Sequence, residues 1–258
     1  MTRSNNKFVR AYVDGYDLSG EARAVGNYGI TFMNTPDMAL SDAVKNVVVG
    51  QAEIVADPLN AFLSPSASTG IHELLKSGFG THTYTIALGA NAVPAQGDHI
   101  FSLPMEQVAY QATGDDNVYV NVNWGAPTST NTLISLGYAL PFGRLLHAKG
   151  AETAVNTAVG IDDYGAATAL GGIFTYHLFS SNGTVTLKAQ DAATNTNPSF
   201  ADITGATSGS INASVTPAHG MVALGIAATV RQYLRWQLVF GTATTATFIV
   251  GLHRRIWS

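Results

Sequence analysis

The chain has 258 residues, a formal net charge of −4, no cysteine, and only 12% Asp, Glu, Lys and Arg, against roughly 25% in an average soluble domain. That balance argues against a dedicated nucleic-acid binder, which carries a basic face. The missing cysteines exclude a disulfide framework, a thiolate metal site and a cysteine nucleophile. The length fits one large all-β domain or two smaller ones, and so lightly charged a surface is expected to be covered largely by other copies.

Residues 1–7 are a polar arm without the apolar core of a signal peptide. FVRAYVDGYDLSG then alternates and turns at Asp14-Gly15, a favoured hairpin dipeptide. Residues 28–33 read as a return strand. Pro36-Asp37 opens a helix in which Met38, Leu40, Ala43, Val44, Val47 and Val48 recur at three- and four-residue spacings, and Gly50 stops it. The β-branched run Val47-Val48-Val49 fits the start of the next strand, VVVGQAEIV, equally well. A proline-containing loop covers 57–68, and a second short helix 69–77 carries Ile71, Leu74 and Leu75.

Strands are predicted at 84–88, 100–110 and 118–124, the last with Val118, Val120 and Val122 opposed by Tyr119, Asn121 and Asn123. Further strands fall at 173–180, 183–190, 211–215 and 221–226, with a long polar loop over 191–210. The most apolar window, 220–230, is half the ~20 residues that span a bilayer, so it reads as a buried strand. Turn-like segments at 125–131 and 149–164 could divide the chain. The second is the chosen boundary, giving a β-sandwich with a flanking helix over 1–155 and a second β unit over 156–258, which could be intertwined as one domain.

The C-terminal stretch has the clearest pattern. Leu234, Trp236, Leu238 and Phe240 alternate with Tyr233, Arg235 and Gln237, a Gly/Thr/Ala link follows, and Phe248, Val250 and Leu252 share one side of the next run. Period two, strand length and a turn-forming link predict a long hairpin. VNVNWGAPTSTNTLISLGYAL and LRWQLVFGTATTATFIVGLHR share a layout that fits either two related β units or chance. The fold class is therefore all-β, an antiparallel sandwich or barrel with one or two short helices.

Little in the sequence points to catalysis or to a cofactor. His72-Glu73 begins a zinc-helix pattern, but Lys76 stands where the second histidine belongs. Asp115-Asp116 and Asp162-Asp163 are adjacent pairs that point opposite ways on an extended chain and read as turn carboxylates. Seven histidines lie scattered, and no nucleophile elbow, P-loop or dinucleotide fingerprint occurs. The expectation is a protein that is not an enzyme and has no catalytic, cofactor or metal site. Charge is unevenly placed: Arg3, Lys7, Arg10, Arg231, Arg235, Arg254 and Arg255 gather at the ends, while Asp162, Asp163, Asp191 and Asp202 sit in a middle whose one cation is Lys188. Basic ends of one subunit meeting the acidic middle of the next would join copies head to tail; ordinary surface scatter gives the same pattern.

The opening FVRAYVDGYDLSG, the LSDAVKNVV segment followed by Gly and a strand, GDHIFSLP, and the ending RQYLRWQLVFG…TATFIVGLHRR resemble the tail tube (major tail) proteins of tailed bacteriophages. The resemblance covers both ends and the first hundred residues. It implies a virion subunit, made in the host cytoplasm, that forms hexameric rings stacked into a tube for DNA ejection. Implied partners are further copies, the tail terminator, baseplate or tip proteins and the tape measure, with DNA passing without specific binding. Candidate subunit-interface residues are Arg3, Lys7, Arg10, Asp57, Arg231, Arg235, Arg254 and Arg255. The alternative is a capsid decoration or receptor-binding β protein, with Tyr233 and Trp257 as solvent-facing aromatics.

Overall fold

A computed structural model describes residues 8–36, 47–63, 70–76, 78–89, 92–114, 118–125, 142–163 and 165–255. Arg3, Lys7, Asp115, Asp116, Trp257, the helix expected from residue 38, the candidate division after 125 and most of the first copy of the internal echo lie outside the described residues. Within them the protein is all-β, with one short helix, α1 (Ile71–Leu75), where the second helix was expected.

The N-terminal strands are β1 (Val9–Val13), β2 (Tyr16–Asp17) and β3 (Ala22–Ala24), then a hairpin of β4 (Tyr28–Pro36) and β5 (Val47–Ala56). β6 (Leu59–Phe62), β7 (Thr81–Leu88), β8 (His99–Gly114) and β9 (Val118–Gly125) follow. β1 and β2 form the hairpin expected at Asp14-Gly15. Those two residues take φ of 49° and 82°, the left-handed pair that a two-residue turn of this hand requires. β2-β1-β7-β8 run antiparallel, and the second half of β8 leads through β9 to β6 and β3. Ala11, Val13, Tyr84, Ile86, Phe101, Leu103 and Met105 point to one side of these strands. There they bury a core with Leu59, Val120, Val122 and, from α1, Ile71 and Leu75, with Leu74 packed against it.

The C-terminal strands build a second core. β10 (Phe142–Glu152), β12 (Gly172–Ser181), β16 (Ala218–Ala223) and β18 (Ala246–Arg254) continue the first sheet in the order β16-β12-β18-β10-β8. β11 (Ile161–Asp162), β13 (Thr184–Ala192), β14 (Ala201–Thr207), β15 (Ile211–Asn212) and β17 (Tyr233–Phe240) form a separate five-stranded sheet. Phe174, Tyr176, Leu178, Phe248, Val250 and Leu252 on one sheet meet Val185, Leu187, Leu234, Trp236 and Leu238 on the other. The two large cores thus divide between residues 124 and 146, whereas the eleven-stranded sheet runs through both parts.

That sheet folds over on itself where β10 meets β8 over Phe142–Arg144 alone. The opposite faces of β1, β7 and β8 then lie against the opposite faces of β12, β16, β10 and β18. Tyr12, Ala87, Ile100, Leu145 and Ile249 form a small apolar cluster in this seam, and Thr83, Thr85, Ser102, Thr175 and His177 are buried in it beside them. β18 is consequently buried on both faces. A Cβ at Gly251 would overlap Ile100 Cδ1, so the glycine lets the buried Ile100 side chain lie directly over β18.

Several expectations are corrected. The terminal hairpin is not one: β17 pairs with β13 and β11, and β18 with β10 and β12. The two strands face each other across the C-terminal core, and the 241–245 link carries the chain from one sheet to the other. The cause is that both apolar faces bury against each other, which an arch allows and a flat hairpin does not. Val47, Val48 and Val49 are strand, paired with β4, as their β-branching favours. The 28–33 return strand belongs to that same hairpin and not to β1. The 191–210 loop contains β14, which runs antiparallel to β13. The apolar window 220–230 is a half-exposed edge strand and a turn, with Leu224 and Val230 buried but Ile226 57% exposed.

Candidate functional site

The polar groups that tie the layers together fall into two sets. The first lies where β11 approaches β10 and β18. Asp163, one residue past β11, is 3.0 Å from Arg254 Nε and accepts from Arg144 Nε at 3.3 Å. Arg254 also donates to the carbonyls of Gly165, Ala166 and Arg231. Arg231 donates its backbone N–H and its guanidinium to Asp191 at 2.7 and 3.1 Å, and Gln232 donates to Asp162 at 3.1 Å. Burial raises the Asp163 carboxyl above the ordinary carboxylate value although both arginines pull it down, and burial likewise lowers Arg254. A cleft of about 270 Å³, lined by His99, Phe142, Gly143, Arg144, Asp163, Leu252 and Arg254, opens beside this network.

The second set lies in the seam under the Asp14-Gly15 turn. Asp14 Oδ2 is 2.5 Å from His82 Nδ1, and Oδ1 accepts the Thr83 N–H at 2.8 Å. His219, on β16, places Nδ1 2.9 Å from Thr83 Oγ1 and 3.3 Å from Asp14 Oδ1. His177, on β12, accepts the Gly15 N–H at Nδ1 at 3.0 Å. Its Nε2 therefore carries the proton and donates to Thr85 Oγ1 at 2.9 Å, which donates on to Ser102 Oγ at 3.0 Å. A histidine that donates to a hydroxyl cannot take that hydroxyl's proton, so this chain holds structure and does not activate a nucleophile. Burial, then the His219 charge, lowers His177 to about 3. Burial of Asp14 raises its carboxyl, but the His82 bond and the nearby His219 charge outweigh this and leave it below the usual range. Burial likewise lowers His82, but the Asp14 bond and charge prevail and leave it raised.

The residues singled out from sequence take varied places. Arg231 and Arg254 come together around Asp191 and Asp163, so basic end and acidic middle meet within one chain. Arg235 is buried, donating to Gln190, Ala158 and Asn197 with its guanidinium 4.4 Å over the Phe200 ring. Lys188, the middle's one cation, pairs with Asp202 at 2.6 Å. Arg10 lies on β1 and donates to its neighbour's carbonyl, and Asp57 caps the base of the β4–β5 hairpin through both Asn27 nitrogens. Arg255 donates its N–H to Gly171 O, and Tyr233 is half-buried on β17. His72 bonds Tyr110 at 2.7 Å, and Glu73 pairs with Lys76 as an exposed helix face does.

Asp162 sits in a strand and Asp163 in an ion-pair network, not in a free turn. The sequence reading missed the grouping of His82, His177 and His219. One signal was present: in GIFTYHLFSS, His177 shares a face with Ile173, Thr175 and Phe179, an apolar-flanked second face that marks a strand covered on both sides.

Among the described residues no group of three or more His, Asp or Glu side chains is set to hold a metal ion, and no helix is long and apolar enough to cross a membrane. No protein-family model matches the chain, and no curated protein matches it. Among solved structures, the crystal structure of SPP1 Dit (gp 19.1), described as a paradigm of hub adsorption apparatus in Gram-positive infecting phages, aligns over 96% of this chain and 99% of that one. The identity is 11% and the TM-score 0.34, below the range in which two chains share one fold.

Proposed function

We propose that the chain is a non-enzymatic structural subunit of a tailed-phage virion that assembles with copies of itself, and that the assembly is the tail tube. The observation that carries the self-assembly is the β4–β5 hairpin. It forms a two-stranded sheet of its own, paired with no other described strand. A two-stranded ribbon is at best marginally stable in water by itself, and both of its outer edges are templates for another chain. A neighbouring subunit that adds a strand or covers the ribbon supplies what the monomer lacks. The tube, its hexameric ring and its conduit role rest on the sequence resemblance. A net charge of −4 suits a lumen through which DNA slides, since each basic phosphate contact adds binding.

Negative-stain electron microscopy of the purified protein, with its mass measured in solution, tests this reading. Rings or tubes with a hole wide enough for duplex DNA are expected, and replacing 31–53 by a short Gly/Ser link should leave folded monomers. A stable monomer or trimer at every salt concentration would refute the tube and favour decoration or receptor binding.

A further inference from the structure

We propose that the Asp14-Gly15 turn carries a proton-operated latch: doubly protonated His82 of β7 holds Asp14, which also meets His219 of β16, and this hold weakens as pH rises.

The turn is gripped from three strands at once: β7 through His82 and Thr83, β12 through His177, and β16 through His219. Asp14 and Thr83 bond in both directions, since the Asp14 N–H also donates to Thr83 O at 3.1 Å. Both ring nitrogens of His82 face acceptors: Nδ1 the Asp14 carboxylate at 2.5 Å, and Nε2 the Gly78 carbonyl at 3.3 Å. Only the doubly protonated ring satisfies both. Loss of one proton sets a nitrogen lone pair against either a carboxylate or a carbonyl oxygen, and the contact becomes repulsive.

The other groups around the turn do not substitute for His82. His177 is locked neutral by its Gly15 and Thr85 bonds. His219 shares its Nδ1 between Thr83 Oγ1 and Asp14, and its side chain is 34% exposed. Tyr12 on β1 packs against the His177 ring, with centroids 6.1 Å apart. Asp17 on β2 is engaged by Lys149 of β10 at 2.7 Å and by Ser19. Trp124 of β9 sets its ring against His82, and Gln107 of β8, which donates to Leu75 O, is uncharged.

The direction follows from linkage. A histidine whose folded pKa lies above its unfolded value contributes stability that is complete below the unfolded value and is lost as pH rises through the folded one. His82 is of this kind. The latch therefore weakens on the alkaline side, and Asp14, which lies between β7 and His219 of the edge strand β16, loses its hold on His82.

The test reads amide exchange at Thr83, whose N–H is bonded to Asp14, together with histidine NMR titrations, from pH 6 to 9. Protection factors are corrected for intrinsic base catalysis. Wild type is expected to show a His82 midpoint above 6.5 and at least a tenfold fall in Thr83 protection across it. His82→Gln should show no such transition, and Asp14→Asn should lower the His82 midpoint. If Asp14→Asn does not fold, His219→Gln serves in its place: it removes a competing partner of Asp14 and should keep the transition, at a midpoint no lower than in wild type. Flat Thr83 protection in wild type, or a transition that persists in His82→Gln, overturns the latch.

Discussion

His177 gives the sharpest quantitative test of the fold, because one buried ring should govern much of the acid sensitivity. It is fully buried and held neutral, with a value lowered to about 3 against an ordinary 6.5. Below pH 6.5 the unfolded chain binds a proton that the folded chain refuses. Stability is therefore complete above 6.5 and falls with pH by about 1.4 kcal/mol per unit until the folded value is reached. From pH 7 to 5 this single group removes about 2 kcal/mol by the same linkage, a sizeable part of a typical 5–15 kcal/mol.

His177→Asn leaves a side-chain oxygen to accept the Gly15 N–H and cannot be protonated. It should cost about 1–3 kcal/mol at pH 7 for the lost Thr85 bond and the volume left behind, yet show a pH 7-to-5 loss about 2 kcal/mol smaller than wild type. Denaturant titrations at the two pH values measure both numbers, and every other titrating group cancels in the comparison. If the losses of the two proteins agree within about 0.5 kcal/mol, the value drawn from their extrapolation error, the buried neutral histidine is wrong.

Three further outcomes follow. Gly251→Val should destabilise by about 1–3 kcal/mol through overpacking against Ile100, seen as a lower melting temperature. Arg254→Met should cost about 3–5 kcal/mol, since it removes a buried guanidinium that pairs with Asp163 and holds three carbonyls; Arg231→Met, with a half-exposed side chain whose backbone N–H still bonds Asp191, should cost less in the same denaturation assay. Asp57→Ala removes both Asn27 bonds at the base of the β4–β5 hairpin. It should cost about 1 kcal/mol and speed exchange of the Asn27 amide without changing that of Ile249 in the seam.

The sequence by itself determined many of the strands and, in the most regular of them, the covered face. Period two in 234–240 named Leu234, Trp236 and Leu238 as core, and Asp14-Gly15 named its own turn, because both depend on neighbours in the chain. Partnership was another matter. Two apolar-faced strands joined by a Gly/Thr link suit a hairpin and an arch equally, and the choice fell to the arch because β13 and β12 offered better mates in separate sheets. The same holds for charge and histidine. Arg254, Asp163, Arg231 and Asp191 stand far apart in the sequence, and only the strand pairing brings them together in one network. His82, His177 and His219 have no common spacing and meet only because one sheet doubles back on itself. A strand pattern records whether a face is covered; which strand covers it is decided by long-range pairing that no local window contains.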